Sequence, residues 1–226
     1  MISIRKYKIV IAAAIAGISG CLIDIITMTA LGWDIKGYSE LRNTMSAMGA
    51  SNSPVDRQIA FWWILMGVLI IIYGWGLRYA FKENYKLVRI ASWLMILYGV
   101  GEGLGSALFP ADPSGGHLSW VGMLHDFLGE AGTTGITFFP LVMGKLIPEI
   151  KKFSITVVGI GLTGILFFIL GHLFNNPNNF FVATKGLWQR IFVYTYYLYV
   201  ITVSIKLIWA SLKVKTQSEP EERRNL

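Results

Sequence analysis

Residues 9–31 read IVIAAAIAGISGCLIDIITMTAL, an apolar run broken by one ionisable side chain, Asp24. At about 1.5 Å per residue such a run makes a helix of roughly 35 Å, enough to cross a hydrocarbon core of about 30 Å. A carboxylate inside it is costly, so Asp24 is either paired and functional or the helix boundary lies elsewhere. Five further runs of similar length follow, at about 58–79, 88–109, 121–143, 153–174 and 190–212.

The whole chain agrees with this reading. Of its 226 residues 54% are hydrophobic and only 15% charged, and the mean hydropathy is +0.55. One soluble domain of this size would have too few charges to cover its surface. The expected fold is therefore all-α, a six-helix transmembrane bundle over residues 1–212, followed by a charged, disordered cytoplasmic tail at 213–226.

The net charge of +7 does not point to nucleic acid, because the basic residues fall between apolar blocks instead of forming one aromatic-laced groove. They read as topology signals. Arg5, Lys6 and Lys8 precede the first run; Arg78, Lys82, Lys86 and Arg89 surround the second connection, and Lys145, Lys151 and Lys152 the fourth. Lys213, Lys215, Arg223 and Arg224 follow the last run, whereas the alternate connections hold only Lys36, Arg42, Arg57, Lys185 and Arg190. The positive-inside rule then places both termini in the cytoplasm.

The start Arg5-Lys6-Tyr7-Lys8, with an apolar run reaching Cys21, also has the look of a lipoprotein signal. Continuation of the apolar run to Leu31 favours a retained first span. Cys21 is the single cysteine, which excludes an intramolecular disulfide. The connections opposite the basic ones are chemically richer. Residues 32–57 contain the turn formers Gly37, Gly49, Asn52 and Pro54, with a short amphipathic or re-entrant piece around Leu41–Met48; 109–120 reads FPADPSGGHLSW, and 175–186 NNPNNFFVATKG.

Depth counting puts Asp24, Glu102, Asp126 and Glu130 in the outer half of the bundle, where they could meet. Asp126 and Glu130, four apart, share a helix face, and two such carboxylates do not both stay ionised in low dielectric without a cation or a donor. His125 occupies the adjacent face. Glu102 is its expected partner, because Gly99, Gly101, Gly103 and Gly105 let the third span pack closely against a neighbour. If the protein is an enzyme, Glu102, His125, Asp126 and Glu130 are its candidate catalytic set.

No cofactor is demanded, although His125, His172 and Glu102 would suit a divalent metal in ligand type. The spacing lacks an HExxH pattern, two axial histidines for haem are a weaker alternative, and no GxSxG elbow supports serine hydrolysis. Arg57 and Arg190 stand at the outer starts of the second and sixth spans, able to hold a lipid phosphate or to snorkel. Trp33, Trp62, Trp63, Trp120, Trp188, Tyr194, Tyr196, Tyr197 and Tyr199 fit interfacial anchoring or helix packing.

Three segments carry a family resemblance: GYSELRNTMSAMGASNSPVDR (37–57), LFPADPSGGHLSWVGMLHD (108–126) and GLWQR (186–190). With them the chain resembles the prokaryotic DUF998 family of multispanning membrane proteins, and more distantly the Frag1/DRAM type. The residues of that likeness are Tyr38, Ser39, Asn43, Ser46, Gly49, Ala50, Phe109, Pro110, Asp112, His125, Gly186, Gln189 and Arg190; Met48 stands where leucine is common. The resemblance implies a multi-pass protein of a prokaryotic cell membrane and leaves the activity open.

The leading expectation is a protein that binds a lipid or small amphiphile in an outward-facing polar cavity, with Asp24, Arg57, Asp112, His172, Gln189 and Arg190 as ligand contacts. The alternatives are a metal-assisted intramembrane lipid hydrolase and a proton-coupled transporter. Membrane lipids are the expected partners.

Overall fold

The computed structural model describes residues 6–113, 117–174 and 176–224, with side chains through residue 216. Six long helices carry the fold among these residues: α1 (Tyr7–Asp34), α2 (Asp56–Gly76), α3 (Tyr85–Tyr98), α4 (Trp120–Leu146), α5 (Lys151–Leu173) and α6 (Lys185–Arg224). A tight turn, Leu77–Tyr79, extends α2, and α3 continues unbroken through a π-helical stretch, Gly99–Gly105, and a last turn, Ser106–Leu108. The protein is an all-α, multi-pass membrane bundle.

Five helical segments are long and apolar enough to cross a membrane: Tyr7–Asp34, Asp56–Tyr79, Tyr85–Leu108, Pro148–Leu173 and Lys185–Thr216. The stretch expected as a span at 121–143 lies within a helix, α4, whose 27 residues would reach about 40 Å. It falls outside the apolar group because Asp126, Glu130 and the polar run Gly129-Glu130-Ala131-Gly132-Thr133-Thr134-Gly135 dilute its hydropathy. The last helix continues past residue 212. It runs on to Arg224, so the charged tail begins as helix, because elongating an existing helix costs far less than nucleating a new one.

The helices pack in chain order, α1 on α2, α2 on α3, α3 on α4, α4 on α5 and α5 on α6, and the ring closes where α6 packs against α1. Side chains such as Ile26, Phe61, Phe127, Leu166 and Trp209 point outward, the arrangement expected when the surrounding solvent is lipid. Because lipid is as apolar as leucine, close packing holds such helices together, and small residues permit it. On α1, Ala13, Ala14, Gly17, Gly20 and Cys21 are buried; a Cβ on Gly17 would stand 2.8 Å from the Tyr73 ring of α2.

A glycine junction ties α2, α3 and α4 together. A Cβ on Gly67 would lie 2.6 Å from the Gly99 carbonyl oxygen and 2.9 Å from the Gly103 Cα, and one on Gly101 would lie 2.8 Å from the Gly132 nitrogen. Without side chains to hold the ordinary helical turn, the Gly99–Gly105 segment widens into a π turn, a form often found at functional sites. Glu102 projects from the middle of it.

The α1–α2, α3–α4 and α5–α6 connections share one end of the ring, the cap end. The first folds down as a turn at Ser39–Asn43 and a single tight turn, Ser46–Gly49, over the stretch where a short amphipathic or re-entrant piece is expected around Leu41–Met48. Its Ser51 N–H donates to the Ala111 carbonyl of the second connection at 3.1 Å.

Candidate functional site

The cap is assembled by two consecutive side chains at the start of α6. Arg190, only 6% exposed, donates through Nη1 to the carbonyls of Glu40 (2.9 Å), Asn43 (3.0 Å) and Gly186 (3.1 Å), and through Nη2 to the Tyr38 hydroxyl (2.6 Å). A planar guanidinium matches this fork of oxygens in a way that a lysine ammonium does not. Burial pushes the Tyr38 phenol above its ordinary range, and the Arg190 charge opposes that shift. Gln189 accepts from the Met45 N–H and donates to Ser46 Oγ at 3.3 Å. The loop can come this close because residue 186 is glycine: a Cβ there would run into the Asn43 carbonyl.

The second connection is fixed by Asp112. Its Oδ2 accepts the Ser119 N–H at 2.7 Å and its Oδ1 the Ser119 hydroxyl at 2.8 Å, while Ser119 Oγ accepts the Gly122 N–H at 3.0 Å. Asp112 thus secures the N-cap of α4. Both of its oxygens are engaged locally, so the expected ligand contact is a structural one.

Beneath the cap lies a cavity of about 30 Å³, room for one water-sized group. Asp24, Glu102 and His125, from α1, α3 and α4, face one another across it, with Ser46 and Gln189 above and Trp63, Tyr98, Ser106 and Tyr197 around the wall. Among the described residues no lysine or arginine lines it. Asp24 is 2% exposed; its Oδ2 accepts from Tyr197 at 2.8 Å, and its Oδ1 has no partner. Since the Tyr197 proton is used on Asp24, the 2.7 Å contact between the Tyr98 and Tyr197 hydroxyls has Tyr98 as its donor.

Glu102 Oε1 accepts from Thr133 of α4 at 2.6 Å, and the absence of side chains at Gly129 and Gly132 makes room for the carboxylate against α4. His125 is buried, and its Nδ1 lies 2.8 Å from the Phe109 carbonyl. A carbonyl only accepts, so Nδ1 carries a proton and points away from the cavity carboxylates toward the Phe109 backbone. Ser106 Oγ is buried without a partner.

The cavity therefore brings together Asp24, Glu102, His125 and Gln189 and leaves out the rest of the expected set. Asp126 and Glu130 are exposed on the outer side of α4, along the stripe of Met123, Phe127 and Phe138. Their shared face is real and points away from the bundle. Depth counting cannot see this, because it fixes height along a helix and says nothing of azimuth. Arg57 is exposed at the start of α2, and Arg190 is consumed by the cap. His172 is exposed at the end of α5, bonded to its own helix at the Phe168 carbonyl (2.9 Å). Glu102, His125 and His172 accordingly do not gather, and among the described residues no three His, Cys, Asp or Glu side chains lie placed to hold a metal ion.

Tyr98, Tyr197 and Thr133 are site residues outside the expected set, whereas Ser106, expected to approach Glu102 from one helical turn away, lines the same cavity. Tyr197, one of the aromatics expected in interfacial anchoring or helix packing, has its ring fully buried between α1 and α3. The available signal was the run Tyr194-Thr195-Tyr196-Tyr197-Leu198-Tyr199, which places several hydroxyls well inside an apolar span.

No curated protein and no solved structure matches the chain. The family described as DUF998, protein of unknown function, matches residues 18–206, a stretch that contains the four middle helices, most of the first and about half of the last, and the described residues of the cap. Tyr38, Asn43, Ser46, Asp112, His125, Gly186, Gln189 and Arg190, eight of the thirteen residues that carry the resemblance, build the cap and pin it to the cavity, and the chain belongs to the DUF998 family.

Proposed function

We propose that this is a cell-membrane protein that crosses the bilayer six times with both termini cytoplasmic, and that it binds the polar head of a lipid or small amphiphile in the capped cavity. The basic connections Arg78 to Arg89 and Lys145 to Lys152 support that orientation, which places the cap outside. One observation carries the binding reading: polar side chains from three helices converge on a cavity with an unpartnered, fully buried carboxylate oxygen. A buried acceptor without a donor costs about 1–3 kcal/mol, a penalty that a bound donor removes. Asp24, Glu102 and His125 then hold the head, and Ser46 and Gln189 close over it.

Native mass spectrometry of protein extracted in membrane patches tests this. The expected result is a retained lipid or amphiphile that is lost from the Glu102→Gln protein; a bare chain under every extraction condition overturns the proposal.

A second reading, proton coupling, is favoured by the ordered chain Tyr98 to Tyr197 to Asp24, which can pass a proton between the wall and the cavity. Proton flux into vesicles that falls in Tyr197→Phe supports it; flux unchanged by that substitution removes it. The hydrolase reading gains nothing from the geometry, since Asp126 and Glu130 stand away from Glu102 and His125.

A further inference from the structure

We infer that the group seated in the cavity is a primary ammonium, the head of an amino-bearing lipid or of a small amine, held between Asp24 and Glu102. This rests on the head-binding reading above and specifies the chemistry of the head.

Charge comes first. Among the described residues the cavity wall has two carboxylates, one imidazole and no lysine or arginine, so its charge disfavours an anion or a phosphate, and the Arg190 that could have offset the acids is turned into the cap. Hydrogen-bonding capacity comes second. Asp24 Oδ1 and Ser106 Oγ, both buried, have no hydrogen-bond partner, and Glu102 has used Oε1 on Thr133. Two carboxylates around one space, one of them with a free oxygen, call for a charged donor. An R–NH3⁺ group brings three donors and no acceptor, which complements a wall of this kind.

Size comes third. A space of about 30 Å³ fits an ammonium, which is close to a water molecule in bulk. A quaternary trimethylammonium is several times larger, has no N–H to give, and is ordinarily held by aromatic faces. A bare alkali cation has no N–H to give and favours an all-oxygen shell, so it gains less from a wall that includes an imidazole.

The test uses the full chain in nanodiscs. Thermal stability is measured in phosphatidylcholine discs with methylammonium, tetramethylammonium or sodium chloride at equal ionic strength, and then in discs containing phosphatidylethanolamine. Saturable stabilisation by methylammonium with neither tetramethylammonium nor sodium effective, and by phosphatidylethanolamine over phosphatidylcholine, is expected for an amino-lipid head. Stabilisation by methylammonium without any lipid preference assigns the site to small free amines and still supports the inference. Glu102→Gln and Ser106→Ala should each weaken methylammonium binding about tenfold or more, as loss of a charge-assisted contact does.

Equal stabilisation by tetramethylammonium, or by sodium alone, overturns the ammonium assignment. A retained lipid that methylammonium does not displace overturns it too and leaves head binding standing. Absence of any retained lipid and of any amine effect removes both.

Discussion

Asp24 and Asp126 are the same residue at comparable depth in two long helices, yet one faces the cavity and the other the exterior. The difference lies in their neighbours. Asp24 has Tyr197 as its donor, so Tyr197→Phe should destabilise the protein by about 1–3 kcal/mol, the cost of leaving a buried carboxylate oxygen unpaired. Denaturant or thermal unfolding in detergent measures this, and a change near zero would show that the tyrosine is not that donor. Asp126→Asn and Glu130→Gln, by contrast, should leave ligand retention unaltered, since neither side chain reaches the cavity. Loss of the bound head in either variant would mean that α4 is rotated from the position described.

At the scale of elements, the glycine junction and the cap make opposite demands. Gly103→Ala drives a Cβ into the Gly67 backbone and should cost about 1–3 kcal/mol or prevent assembly, because neither backbone can retreat without separating α2 from α3. Gly159→Ala meets nothing within 4 Å on the exposed side of α5 and should be neutral or stabilising by up to about 1 kcal/mol. Melting temperatures of the pair separate the two cases.

The cap depends on geometry at one guanidinium. Arg190→Lys keeps the charge and loses the fork, so amide exchange at Tyr38–Ala50 should accelerate by about tenfold or more while the lower halves of the helices stay protected. The same loop carries a pH dependence. Tyr38 has its folded-state titration raised, so its contribution is intact below the ordinary phenol value near 10 and is lost as pH rises through the folded value. Cap exchange should therefore rise selectively in strong alkali, and Tyr38→Phe should abolish that dependence.

On the scale of the whole molecule, closure of the ring by α6 on α1 joins residues far apart in the chain, and the cavity exists only because of it: Tyr197 of α6 meets Asp24 of α1 and Tyr98 of α3. Single cysteines placed in a Cys21→Ser background test the proposed topology. Positions near Lys36 and Lys185 should label from outside, and positions near Lys82 and Lys151 only after permeabilisation. Labelling of Lys36 and Lys82 sites from the same side would require α2 not to cross.

Much of this protein was legible in its residues. The apolar runs determined helices of membrane length, because a bilayer leaves the backbone no other partner than itself. The Gly99–Gly105 run foretold close packing around Glu102, and the likeness in the loops pointed to the cap end. Rotation of each helix about its own axis was decided only by tertiary packing. That rotation sent Asp24 inward and Asp126 outward, spent Arg190 and Asp112 on the cap, and left His172 outside the site. The physical reason is that height along a helix follows from counting residues, whereas azimuth follows from which small side chains allow two backbones to approach, a property of pairs of helices and of no single one.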